Sequence, residues 1–311
     1  MKSNLKFEYL PVTEYNGEVA GDMIFEAIKS SVMLQETNAF HLLDVAHKIS
    51  VTTLAETGLI SVPYSCTFTG GDIVTTDVVL EPQYFSVDKN LCINTLWSTW
   101  YANKKRQGVE NIDPAMSEFL GYVTAFYLKK VAGDVDNLIW NADTGSVTPT
   151  LAVFDGLIRT ALNDVTVIDV PAVALTSANI LSKLEAIITA TPSEVLSMPD
   201  FKIYMNQKTA SLYQIALTTA GSYLMSPTTA PQLSYLSQSI VVVPSMPNDT
   251  IYCTFAGNIA VGMDLTSLEN TVKVIDMRST TGDDVIRFRL RYNLDATHLF
   301  GKNVVLYTTI V

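Results

Sequence analysis

The chain has 311 residues, 48% hydrophobic and 16% charged, with a net charge of −11 and a pI of 4.7; this supports one large core or two smaller ones and excludes a disordered, tail-like chain. The acidic balance excludes a dedicated nucleic-acid binder, because such binding rests on basic surface. Cys66, Cys92 and Cys253 are an odd, widely spaced set without CxxC, which indicates neither a disulfide framework nor a zinc site, and no window reaches the roughly 20 apolar residues of a membrane span.

In chain order, residues 1–16 carry Pro11, mixed charge and no sustained period, the pattern of an extended arm without a core of its own. Over 18–35, Val19, Met23, Ala27, Val32 and Met33 recur at helical spacing among charged residues, which predicts a short amphipathic helix. Residues 42–53 read as extended. Two β-prone runs, 60–69 and 72–80, flank Gly70-Gly71, a pair that permits a tight hairpin turn. No lysine or arginine occurs between Lys48 and Lys89, whereas Glu56, Asp72, Asp77, Glu81 and Asp88 do, so the predicted hairpin is purely acidic. Its two readings are a solvated loop and an arm that lies on another molecule, since an isolated two-stranded ribbon is marginally stable.

A strand is predicted over 83–97, with Tyr84-Phe85-Ser86-Val87 in it, running into a short helical or turning segment around 91–101, and the basic triplet Lys104-Lys105-Arg106 follows, either a solvated turn or a counterpart to the acidic hairpin. The longest coherent element spans 113–143. Asp113 offers a cap and Pro114 suits the first helical position. Met116, Leu120, Val123, Tyr127, Val131, Val135 and Leu138 form one apolar stripe, with Glu118, Lys129, Lys130 and Asp136 off it. After a polar loop over 144–150 comes Phe154-Asp155-Gly156-Leu157-Ile158, an apolar run broken by a turn pair.

The second half reads as an α/β unit followed by β structure. Ser177 is a candidate cap for a helix over 178–190, followed by a strand at 201–205 and a helix over 207–220. Strands are predicted at 239–243, 250–255, 258–263, 271–277, 285–292 and 303–310. Arg287, Arg289 and Arg291 alternate and so share one strand face, either solvated or meeting carboxylates.

No GxSxG, P-loop or HExxH is present, and Gly257 to Gly262 lacks the GxGxxG spacing. His41, His47 and His298 are too scattered for a metal cluster and read as structural or surface residues. Carboxylate pairs such as Asp283-Asp284 and Asp134 with Asp136 read as turn or solvated groups. No catalytic residue, cofactor or metal is expected.

The order of these features resembles a specific family. The stretches Val79-Leu80-Glu81-Pro82-Gln83-Tyr84-Phe85-Ser86-Val87, Trp140-Asn141-Ala142-Asp143-Thr144-Gly145 and Phe154-Asp155-Gly156-Leu157-Ile158, set among an arm, an acidic hairpin, a long helix, an α/β unit and a late β-hairpin, resemble the major capsid proteins of tailed double-stranded-DNA phages. The resemblance implies the α+β Hong Kong 97-like fold. It implies an N-terminal arm and helix over 1–36, part of a peripheral (P) domain over 37–53, an E-loop over 54–80, and the P domain with spine helix 113–143 over 81–170. An axial (A) domain over 171–265, a return to the P domain with its hairpin loop over 266–292, and a C-terminal strand back in the A domain over 293–311 complete it. Implied at contacts between subunits are Glu56, Asp72, Asp77 and Glu81 on the hairpin, Lys104, Lys105, Arg106, Lys129 and Lys130 near and along the helix, Thr281, Gly282 and Asp283 at the P-domain loop, and Arg287, Arg289 and Arg291.

The resemblance further implies a non-enzymatic shell subunit that assembles in the host cytoplasm and resides in the virion, as hexamers and pentamers of an icosahedral head enclosing double-stranded DNA. Implied partners are further copies of the chain, a portal, a separate scaffolding protein and head-decoration proteins, with no membrane. Some relatives have a cleaved N-terminal scaffolding domain and some link subunits through an E-loop lysine; here the chain opens on the arm and the hairpin lacks lysine, so neither is expected. Alternatives are an encapsulin-type nanocompartment shell and, from another class, an α/β enzyme acting on a small molecule.

Overall fold

A computed structural model describes residues 12–16, 40–42, 45, 48–56, 73–92, 114–219, 233–263, 271–277 and 281–310. The helix expected over 18–35, the first hairpin run 60–69, Asp72, the cap Asp113 and the triplet Lys104-Lys105-Arg106 lie outside them. In chain order the elements are strands β1 (Val12–Asn16), β2 (Phe40–Leu42), β3 (Ile49–Glu56), β4 (Ile73–Leu80) and β5 (Gln83–Cys92), then helices α1 (Pro114–Asn141) and α2 (Leu157–Asn163). There follow β6 (Ile168–Asp169), α3 (Ile180–Ala190), α4 (Ser193–Leu196), β7 (Phe201–Met205), α5 (Gln207–Thr219), β8 (Ser234–Tyr235), β9 (Gln238–Val242), β10 (Ile251–Phe255), β11 (Ile259–Gly262), β12 (Thr271–Asp276), β13 (Val285–His298) and β14 (Val305–Tyr307). The fold is mixed α+β, in two compact units: 1–35, 83–135 and 263–294 form one, and 36–82, 136–262 and 295–311 the other.

In the first unit β1, β12, β13 and β5 form an antiparallel sheet in that order. The two-residue period of β13 divides its side chains cleanly: Ile286, Phe288, Leu290 and Tyr292 are buried and Arg287, Arg289 and Arg291 exposed. Tyr127 of α1 stacks on Phe288 at 4.9 Å, and Phe85 stacks on its cross-strand partner Tyr292 at 5.3 Å. The helix thus seals the apolar face of the sheet.

The second unit is built on a six-stranded sheet, β6-β14-β10-β7-β9-β8, parallel at β14/β6 and β7/β9. One face carries Ile203, Met205, Ile251, Cys253, Val305 and Tyr307 into a core with Ile180, Leu184 and Ile187 of α3 and Ala210, Tyr213 and Ala216 of α5. Tyr204 and Tyr252, cross-strand partners, take the other parity and meet Trp140 at 5.5 and 5.4 Å. Here α1 is no longer amphipathic, because Leu138, Ile139, Trp140 and Ala142 are all buried. Asp136, expected off the stripe, is buried too; the apolar surroundings of the helix widen toward its C-terminus, and a single stripe no longer describes it.

Two expectations are corrected. The cap of α3 is Asn179, whose Oδ1 accepts from Thr176 N–H at 2.8 Å and whose amide donates to Ala174 O at 3.0 Å, and Ser177 is an exposed turn residue. Strand β4 pairs with β3, Ile49 opposite Leu80 and Glu56 opposite Ile73, and the expected partner run 60–69 with its turn pair Gly70-Gly71 lies outside the described residues. Strand β13 runs past its predicted end at Tyr292, while β5 falls within the predicted 83–97, and the two supply each other's hydrogen bonds from Gln83↔Leu294 to Cys92↔Val285.

Candidate assembly surfaces

The hairpin β3–β4 is a two-stranded sheet of its own, and its root is where the chain fixes it. Leu80 is fully buried, and Glu81 N–H donates to Asp295 Oδ2 at 2.6 Å while Ala296 N–H donates to Oδ1 at 2.8 Å. Burial pushes the Asp295 carboxyl up, the two backbone donors pull it down, and the nearby Glu81 charge adds to the rise; the net shift is upward. Lys48 Nζ lies 3.3 Å from Glu81 Oε2. Beyond the root the side chains open to solvent: Asp77 and Thr52, which face one another across the ribbon, are exposed, as are Val79 and Ile49. Glu56 is the last residue of β3, and its carboxylate is not among the described side chains.

In the other unit the arginine face of β13 is a sheet surface. By register Lys273 of β12 and Asp88 of β5 flank Arg289, which places a row of alternating charge across three strands. Arg289 Nε donates to Asp88 Oδ1 at 2.6 Å, and Ser86 Oγ donates to Asp88 Oδ2 at 2.6 Å. The Ser86 hydroxyl foremost, then Arg289, hold the Asp88 carboxyl below its usual range. Arg287 and Arg291 have no ion-pair partner among the described residues. Along α1, Lys130 pairs with Asp134 one turn on, at 3.5 Å, and Lys129 is exposed. At the loop tip Gly282 has φ +80, the left-handed region that glycine enters freely, and Thr281 Oγ1 donates to Asp283 Oδ2 at 2.8 Å. All three tip residues are exposed.

The expected contact residues therefore divide. Asp77, Lys129 and Arg287 are exposed with no ion pair among the described residues, Arg291 is exposed and helps to lower the Asp88 carboxyl, Glu81, Lys130 and Arg289 already hold partners in their own chain, and the basic triplet is outside the described residues. Sequence reading missed Asp295, which lies in a run buried from Tyr292 to His298 where strand alternation gives no signal. It also counted Asp88 only as part of an acidic stretch, when its place opposite Arg289 follows from register alone.

No group of three metal-ligating side chains converges among the described residues, and no described helix is long and apolar enough to cross a membrane. His298 is the structural histidine expected: its side chain is 3% exposed and its Nε2 lies 2.9 Å from Asp164 Oδ2. Burial pushes Asp164 up, but the His298 bond and the Thr166 backbone and hydroxyl donors outweigh it and leave the carboxyl below its usual range. The His298 ring is enclosed, while the Asp164 side chain is 29% exposed. Cys253 is buried, which pushes its thiol well up, away from nucleophilic reactivity.

No protein-family profile and no curated protein matches the chain. Solved structures do. A chain of the satellite phage P4 procapsid, solved with its size determination (Sid) protein, is 12% identical with a TM-score of 0.58, covering 92% of this chain and 97% of that one. The capsid of a native GTA particle gives 11% identity and a TM-score of 0.60 over 89% of each chain. A virus-like particle from Pyrococcus furiosus gives 9% and 0.51, over 93% of this chain and 98% of that one. At such identities the likeness is one of fold, and the fold is the Hong Kong 97-like one that the order of sequence features implies.

Proposed function

We propose that this Hong Kong 97-like chain is the shell subunit of a phage head: a non-enzymatic protein that binds copies of itself as hexamers and pentamers of an icosahedral capsid enclosing double-stranded DNA. The observation that carries the reading is coverage. The likeness to shell-forming chains spans about nine-tenths of this chain and of theirs. A hairpin whose described anchoring contacts lie at its root is consistent with it, since a ribbon of two strands gains stability by lying on another surface. Many modest contacts that must break together give a stable container without any single tight one.

On this reading 54–80 is the E-loop, 171–265 the axial domain, and the peripheral domain combines 37–53, 81–170 and 266–292, with the arm over 1–36 and the last strand over 293–311. The subunit is assembled in the host cytoplasm and ends in the virion, with a portal, a separate scaffolding protein and decoration proteins as further partners. Glu56, Asp72 and Asp77 meet Lys104, Lys105, Arg106 and Lys129 of a neighbour, while Thr281, Gly282, Asp283, Arg287 and Arg291 serve other copies. Glu81, Lys130 and Arg289 contribute through the pairs they already hold.

The second reading, a nanocompartment shell that encloses enzyme cargo, keeps the same fold and draws on the likeness to the Pyrococcus furiosus particle. The contents of purified particles decide: nuclease-protected double-stranded DNA supports the phage head, and a co-purifying enzyme without DNA supports the nanocompartment. Turnover of a small molecule by dispersed subunits overturns both.

A further inference from the structure

The free edge of the six-stranded sheet carries an unusual turn. Strands β8 and β9 pair Tyr235 with Gln238 across two residues, Leu236 and Ser237, whose φ angles are +46 and +69. A two-residue hairpin turn with both φ positive is the habitat of Asn-Gly and Asp-Gly, because a side chain there crowds its own backbone. Among the described residues one other non-glycine has positive φ, Asp249, and its Oδ1 accepts from Leu175 N–H at 2.9 Å. Leucine has no such compensation, and Leu236 is 66% exposed.

The hairpin is not loose. Tyr213 Oη donates to Ser234 O at 2.7 Å and its ring meets Tyr235 edge-on at 6.1 Å. Gln238 Nε2 donates to Leu196 O at 3.3 Å, and Ile240 N–H to Leu233 O at 2.8 Å. The turn therefore holds an apolar side chain outward on a rigid base.

A second observation is independent of that geometry. Between Lys208 and Asp249 the sequence has no Asp, Glu, Lys, Arg or His, in a chain that is 16% charged overall. That run contains α5, where Ile215 is 52% exposed, together with the hairpin. Depletion of charge is the compositional mark of an interface core. It has a particular logic for identical partners: the chain carries −11, and around a rotation axis any charge would face its own kind on every copy.

We propose that this edge, built from an uncharged run of sequence, is a contact between copies of the chain, with Leu236 as its apolar anchor seated on the neighbouring copy. The inference rests on the shell reading and deepens it: strain kept at an exposed turn is explained by a function that needs the leucine there.

The test separates assembly from folding. In the double variant Leu236→Asn with Ser237→Gly, the turn takes its preferred residues and the anchor is lost. Dispersed subunits should melt at or above the wild-type midpoint, while the critical concentration for particle formation, read by light scattering, rises about tenfold or more. Leu236→Asp should raise it further, with partial recovery in high salt, and Leu236→Met should assemble near normally. Assembly of the Asn-Gly and Asp variants at the wild-type critical concentration overturns this inference and leaves the shell reading intact, and a lowered melting point for the Asn-Gly variant overturns its premise. Failure of the wild type itself to form particles overturns the shell reading and this inference with it.

Discussion

Gly156 shows how much one residue's size can fix. Its φ is −72, which any residue adopts, yet a Cβ there would lie 2.8 Å from Ile139 O, 2.9 Å from Leu138 O and 3.0 Å from Ala142 N. All three are backbone atoms at the end of α1, so nothing can step aside. Gly156→Ala should therefore lower stability by about 1–3 kcal/mol, the usual range for overpacking, as read by denaturant unfolding of dispersed subunits; an unchanged midpoint would show that the loop is free to move away. Carboxyl titration gives a second check at this scale. Asp88 and Asp164 are held below 3.8 and Asp295 above it. The depressed pair adds stability present above the unfolded value and lost as pH falls through their folded pKa values; Asp295 works oppositely, its contribution falling as pH rises from the unfolded value through its own raised one. Site-resolved NMR titration should find Asp295 protonating first on acidification, and Asp88 or Asp164 protonating before it would contradict the burial argument. The sequence contains all these residues but not their neighbours: Gly156 stood out as part of a turn, whereas its reason, the helix backbone beside it, depends on a contact no local pattern encodes.

At the scale of elements, legibility followed periodicity. Helix α1 was readable because a 28-residue element repeats its apolar spacing many times and begins on Pro114. The arginine face of β13 was readable because alternation of period two survives until Tyr292. Past that residue every side chain to His298 is buried, and the strand's true length became invisible. The pairing of 49–56 with 73–80 was not legible, because the two runs lie far apart in sequence and no local turn signal joins them. The anchoring of the β3–β4 hairpin at Leu80 and Glu81 yields a prediction. Amide exchange should be slow near the root and fast toward Glu56 and Ile73 in dispersed subunits, then slow throughout in particles; equal protection in the two states would mean that the ribbon does not dock. Because no lysine lies between Lys48 and Lys89, the hairpin supplies no amine for an isopeptide bond, and boiled, reduced particles should run as one monomer band. A ladder of linked oligomers would point to an amine donor elsewhere.

For the whole molecule, composition excluded more than it identified: an acidic, ordered chain without a membrane span or a catalytic motif leaves many possibilities. The order of the features narrowed them, and the fold agrees over nearly the full length. Contact surfaces were less legible, since a charge count cannot tell Arg287, which faces solvent, from Arg289, already paired with Asp88. The central claim is self-assembly into a closed shell. Its most direct test is electron microscopy of the chain expressed and purified alone, concentrated over a range of salt: the account predicts closed particles with five- and sixfold clusters of subunits, and a chain that stays folded and monomeric under every condition would contradict it.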